Sequence, residues 1–123
     1  MIAGKGILIG KVIRADLHSA QVRLVSDSLS RVEATLLNQD QTIGVVEGGF
    51  GISLQMKFVP RSEIIRVNQH IITSGRERLI PRGLLLGTVT TVENEAYQGF
   101  QRVTLSPSVD LAKLSYVSVI LSE

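Results

Sequence analysis

The sequence predicts an all-β protein, a sandwich or barrel of short antiparallel strands with almost no helix. Three observations carry that expectation. Apolar residues recur with a period of two, as in "ISLQMKFV", which marks strands with one face buried. About nine such segments follow one another at spacings of roughly 8–12 residues, the rhythm of sandwiches and barrels. Between them fall Gly, Pro and Asn, the residues that turn a chain.

The elements follow in order. Gly4, Gly6 and Gly10 punctuate a first strand over Ile7 to Ala15. "QVRLVS" from Gln21 and "SRVEATLL" from Ser30 alternate, and a strand over Ile43 to Glu47 runs into "EGGFG". Those glycines make a tight connection because Gly takes positive φ freely. In the next strand Ile52, Leu54, Met56 and Phe58 fall on the inward face, and Ser53, Gln55 and Lys57 on the other. "PRSEIIRV" from Pro60 can make one helical turn with Ser62 as N-cap, and "SVDLAKLS" from Ser108 another. Neither is long enough to stand alone as a helix. Strands are expected over His70 to Thr73, Leu84 to Glu93 and Phe100 to Ser106, with "NEAYQG" as a hairpin tip. "SYVSVIL" closes the chain with Val117, Val119 and Leu121 inward.

A chain of 123 residues is one domain or two very small subdomains. It is 44% hydrophobic but only 4% aromatic, without Trp, so the core is built from Ile, Val and Leu. The net charge of +2 is too small to argue for nucleic acid by itself. The absence of Cys excludes disulfides, thiolate metal sites and Cys nucleophiles. Apolar runs such as Leu84-Leu85-Leu86 stop at three residues, whereas a bilayer span needs about 20. No secretory leader is visible, and the chain reads as a soluble piece.

Candidate chemistry is sparse. Ser74 before Gly75, with His18, His70, Asp16 and Asp27, supplies the residue types of a Ser-His-Asp site. However, "TSG" is not the G-x-S-x-G elbow. Two isolated histidines give no zinc spacing, and no Asp-rich loop suggests calcium. "GKGILIG" runs into a strand rather than the helix N-terminus that a phosphate cradle needs. No catalytic, metal or cofactor-binding residue is therefore assigned. A small basic β-barrel of the OB type, binding nucleic acid, stays open as an alternative, on Arg61, Arg66, Arg76, Arg78 and Arg82. Against it, the aromatics Phe50, Phe58, Tyr97, Phe100 and Tyr116 are dispersed, with Phe58 expected inward, whereas base stacking needs exposed rings.

The segment "IITSGRERLIPRGLLLGTVTTV" resembles the C-terminal signature of the MreC family, the rod shape-determining proteins. The signature is an apolar pair, Thr-Ser-Gly, a short loop, an apolar residue, Pro-x-Gly, an apolar stretch, Gly and an apolar strand. The matching positions are Ile71, Ile72, Thr73, Ser74, Gly75, Ile80, Pro81, Gly83, Gly87 and Val89. Upstream, Gly6, Gly10, Val12, His18, Ser19, Val22, Leu24 and Asp27 are similar to the family's first strands. Downstream, "VTLSPSVDLAKLSYVSVIL" is similar to its tail, so the likeness covers nearly the whole chain. One departure is Asn68-Gln69 where the family has Gly-Asp. Asn best tolerates the left-handed region among non-Gly residues, so the turn is expected to survive.

The resemblance implies two small packed β-barrel-like subdomains: residues 1–30 as the remainder of a first barrel, 31–110 as a second, and 111–123 as a closing strand. It implies a non-enzymatic scaffold for cell shape, without cofactor, outside the bacterial inner membrane in the periplasm. A membrane helix and a coiled coil, which family members carry upstream, would belong to parts not in this chain. The implied partners are MreD, the actin-like MreB indirectly, a penicillin-binding transpeptidase, a glycan polymerase of peptidoglycan synthesis, and other copies of itself. Gly10, Thr73, Ser74, Gly75, Pro81, Gly83 and Gly87 are then structural signature positions. From composition, the loop Arg76 to Leu79 and the hairpin Asn94 to Phe100 are expected to be exposed, with Arg76, Arg78, Tyr97 and Phe100 as partner contacts.

Overall fold

A computed structural model of the chain describes residues 2–4, 6–37, 44–50, 53–77, 80–94, 99–108 and 118–119. Among these residues there is no helix. The strands are β1 (Ile2–Gly4), β2 (Ile7–Ala15), β3 (Ala20–Leu24), β4 (Arg31–Leu36), β5 (Gly44–Phe50), β6 (Ser53–Pro60), β7 (His70–Thr73), β8 (Leu85–Asn94), β9 (Phe100–Pro107) and β10 (Ser118–Val119).

Six of them close on themselves. The ladder runs β4-β5-β6-β9, β9 pairs with β8, β8 with β7, and β7 returns to β4, all antiparallel. Closure removes the free edges that an open sheet presents. The remaining strands form an antiparallel sheet in the order β10-β1-β2-β3. It joins the barrel through one parallel bridge between β2 and β8, Ile7 opposite Leu85. The expected all-β fold is therefore what is observed, as a closed barrel plus extra strands.

The period-two pattern explains the interior. Val32, Ala34 and Leu36 of β4, Leu54 and Met56 of β6, Val89 of β8, and Val103 and Leu105 of β9 are all buried in one cluster. An eight-strand barrel is just wide enough for side chains to fill it, and a six-strand one is narrower. Aliphatic residues suffice here, and Leu8 and Val25 from the extra sheet and its following turn join the cluster. Ile9, Ile72 and Ile80 are also buried, outside that cluster.

Several expectations are corrected. Pro60 to Val67 forms no helical turn. The Glu63 amide donates to the Pro60 carbonyl at 3.0 Å in a simple turn, and a second turn closes with the Gln69 amide on the Arg66 carbonyl at 3.2 Å. The short strand β1 carries no alternation long enough to be seen in sequence. Val119, expected inward, is exposed, because β10 pairs at the rim of the extra sheet rather than facing a core. The expected Val117, Leu121, Ile43 and Ile52, the turn after Ser108 beyond that residue, and the tip residues 95–98 lie outside the described residues. Asn68 does adopt the left-handed conformation, φ 76°. Its amide donates to the Val89 carbonyl at 2.9 Å, so the turn before β7 survives the loss of the family's Gly.

The most consequential correction concerns Phe58. Strict alternation would bury it beside Met56, but the register of β6 against β9 shifts between Met56 and Val59. This β-bulge places Val59 in the interior, wholly buried, and leaves Phe58 58% exposed with φ 64°. Two consecutive apolar residues cannot both face inward on a regular strand. The bulge resolves the conflict in favour of the smaller side chain.

Candidate contact surface

The signature segment is a structural joint. At the end of β7 the Thr73 hydroxyl donates to the Pro81 carbonyl at 2.7 Å and accepts from the Leu84 amide at 3.0 Å. The Thr73 amide and carbonyl bond Leu84 and Gly83. The Ser74 amide reaches the Glu33 carbonyl of β4 at 3.1 Å. Gly75 has φ 80°, and a Cβ there would lie 2.6 Å from the Cβ of Arg82, so both conformation and space demand glycine. Gly87 leaves room for a neighbouring strand, since a Cβ would meet the Ser106 carbonyl oxygen at 2.5 Å. Gly10 is held likewise beneath the Arg23 carbonyl, and Gly83 turns with φ 98°.

That joint uses Ser74 rather than activating it. Ser74 is buried, and its hydroxyl accepts from the Arg76 amide at 3.4 Å. His70 is exposed, with its Nδ1 3.3 Å from the Thr88 hydroxyl. Asp16 and His18 sit at the β2–β3 tip, where the Asp16 amide bonds the Ser19 carbonyl. Asp27 accepts from the Leu29 amide at 2.8 Å in its own turn. Ser74, His70 and Asp27 thus each have a local hydrogen-bonding neighbour. Among the described residues no three His, Asp or Glu side chains form a group that could hold a metal ion.

Charged residues serve the frame as well. The Glu47 carboxylate of β5, only 11% exposed, receives Arg31 of β4 and Lys57 of β6 at 3.1 Å each, one on each oxygen. Such a cross-strand triad pins three adjacent strands in register. In the charged loop, Arg76 is exposed, as expected, but Glu77 turns inward. One of its oxygens accepts the Glu33 amide of β4, and the other pairs with Lys11 of β2 at 2.7 Å. Arg78 and Tyr97 lie outside the described residues.

The candidate contact surface is therefore on the barrel wall. Phe58, turned out at the bulge, meets Phe100 at the start of β9 edge to face, with centroids 6.1 Å apart and planes at 90°. Phe100 is 38% exposed. Pro60 stands opposite Phe100 in the ladder, and the segment leaving Pro60 adds exposed Ile64 and Val67. Beneath, the buried Gln101 amide donates to the carbonyls of Pro60 at 2.9 Å and Glu63 at 2.6 Å, fixing that segment to β9. A bulky residue at positive φ is a strained conformation, and strain of this kind gathers at functional sites. A rigid, outward-held aromatic pair suits protein contact, where aromatic anchors dominate. Sequence reasoning expected Phe100 to be exposed, as it is, and expected Phe58 to face inward, which it does not. The available signal was the apolar pair Phe58-Val59 before Pro60, which breaks the alternation.

The chain matches, over residues 1–121, the family model described as rod shape-determining protein MreC, barrel core. It is 30% identical over 117 residues to the cell shape-determining protein MreC of Listeria monocytogenes, covering 92% of this chain and 40% of that protein. The chain thus spans about two-fifths of that relative's length. Its fold is similar to the crystal structure of MreC from Pseudomonas aeruginosa, with TM-score 0.83 and 21% identity, over 94% of this chain and 75% of that one. It is also similar, with TM-score 0.70 and 18% identity over 85% and 64% of the two chains, to a structure of the complex between penicillin-binding protein PBP2 and MreC from Helicobacter pylori.

Proposed function

Since the chain belongs to the MreC family of rod shape-determining proteins, we propose that it is a non-enzymatic scaffold region that contacts the machinery of peptidoglycan synthesis. Its principal partner is a penicillin-binding transpeptidase, as in the complex named for the Helicobacter pylori relative. It works outside the inner membrane, in the periplasm, and links indirectly to MreB through MreD. It also touches the glycan polymerase and other copies of itself. Self-association is supported by β3, which has β2 as its sole strand partner among the described residues. An open strand edge of that kind can be extended by another chain.

We read residues 1–30 as the remainder of a first barrel, 31–110 as the second and 111–123 as a closing strand. The closed ladder between Arg31 and Pro107 supports the middle range. The pairing of β10 with β1 supports a closing role for the last.

The observation that carries the reading is the Phe58–Phe100 pair, held outward by a bulge on a barrel whose core cluster holds no aromatic residue. The loop tip at Arg76 is a second contact. Titration calorimetry of the chain against the periplasmic part of the transpeptidase tests both. Phe100→Asp is expected to weaken binding about tenfold or more, the scale of an interface anchor, and Arg76→Glu to weaken it less. Unchanged affinity in a folded Phe100→Asp protein would remove the aromatic pair from the interface.

A further inference from the structure

We infer that the charged loop after Thr-Ser-Gly is a strap that couples the barrel to the extra sheet, so that a force or contact on the loop is felt in the β2–β3 hairpin. The observations are a set of contacts that converge on Glu77. Its carboxylate is 21% exposed and acts in two directions. One oxygen caps the backbone amide of Glu33 in β4, a group on the barrel. The other holds the Lys11 ammonium of β2 at 2.7 Å, a group on the extra sheet. Lys11 also donates to the Arg31 carbonyl at 2.8 Å, at the start of the same barrel strand. Loop, barrel and extra sheet therefore meet at one carboxylate.

The rest of the junction is the packing of Leu8 and Val25 into the barrel's core cluster, with little ladder pairing. Among the described residues, ladder pairing between sheet and barrel is limited to the one Ile7–Leu85 bridge, with the Leu85 amide on the Gly6 carbonyl at 2.8 Å. The turn after β3 adds the Gly48 and Gly49 amides on the carbonyls of Ser30 and Ser26. Beyond Val12, among the described residues, no ladder pairing joins the hairpin to the barrel. Residues 13–21 are all exposed, and Lys11 stands opposite Arg23 in the ladder. Two like charges facing each other across strands destabilise a hairpin unless one is neutralised. Glu77 supplies that neutralisation from the loop. Withdrawing the loop would both uncap Glu33 and leave Lys11 facing Arg23 uncompensated. Because coupling free energies are reciprocal, freeing the hairpin must loosen the loop by the same factor.

Hydrogen–deuterium exchange on the 123-residue chain tests the strap through two single variants read at each other's site. Glu77→Gln keeps an acceptor for the Glu33 amide and removes the ion pair. It is expected to raise exchange in hairpin peptides over residues 11–24 about fivefold, the lower end of a site-to-site coupling. Lys11→Met, made on the sheet, is expected to raise exchange by a similar factor in peptides over residues 74–77. The double variant should add little to either single change, and β6 and β9 should keep their protection in all three, which also checks folding. If Glu77→Gln loosens only the loop and Lys11→Met only the hairpin, the two are independently anchored and the strap is refuted.

Discussion

Replacing Phe58 by glycine and by alanine separates the bulge from an ordinary strand. In a regular strand glycine is the worse of the two by about 0.5–1 kcal/mol, because its unfolded chain has more freedom to lose. Phe58 instead sits at φ 64°, where a residue with a Cβ carries about 1–2 kcal/mol of steric cost. Both substitutions remove the edge-to-face contact with Phe100, about 0.5–1.5 kcal/mol, so that loss cancels in the comparison. What remains is relief of about 1–2 kcal/mol for glycine less its entropic cost of about 0.5–1. Phe58→Gly should therefore be more stable than Phe58→Ala by roughly 0–1.5 kcal/mol, centred near 0.7. Urea unfolding resolves this as a midpoint difference of a few tenths molar at a typical slope. The same pair of changes at Thr104, in β9 opposite Gln55, supplies the control, where alanine should win. If alanine also wins at position 58, the bulge and the outward placement of the ring are refuted together.

Other variants probe the frame. Thr73→Val removes a buried hydroxyl that both donates to Pro81 and accepts from Leu84, and should cost about 1–3 kcal/mol in denaturant unfolding. Gly87→Ala brings a Cβ to 2.5 Å from the Ser106 oxygen, so strand separation or a shift costing about 1–3 kcal/mol is expected, seen as a lower melting temperature. Glu47→Gln leaves Lys57 and Arg31 without their carboxylate. Since both cations are partly solvated, a loss of only about 1 kcal/mol is expected, and it should shrink as salt rises.

The barrel was legible in sequence because its walls obey one rule. Leu54 and Met56, like Val103 and Leu105, alternate with polar neighbours, and a period of two needs no tertiary information. The turn at Asn68 was legible for the same reason, because a local backbone preference decided it. Phe58 was not, because whether Phe58 or Val59 enters the barrel depends on the width left by five other strands. Glu77 was misjudged as part of an exposed tip, because its partners Lys11 and Glu33 lie 66 and 44 residues away along the chain. The charge sequence Arg-Glu-Arg is the same for a solvated tip and for one with its middle residue folded under. Ser74 shows the converse. It stands in sequence among the structural signature positions rather than as a nucleophile, and the hydrogen bonds around Thr73 and Gly75 show the joint that this segment forms.

In the proposed function the outward aromatic pair on the barrel wall touches the transpeptidase. A photo-crosslinking amino acid placed at position 100 of the whole protein, in growing rod-shaped cells, tests it most directly. An adduct that antibodies against the penicillin-binding transpeptidase detect is expected, and it should be lost when Phe58→Asp is added to the same chain. An adduct absent at position 100 but formed from a probe at Thr90, an exposed residue of β8, would place the contact elsewhere and refute the role of the aromatic pair.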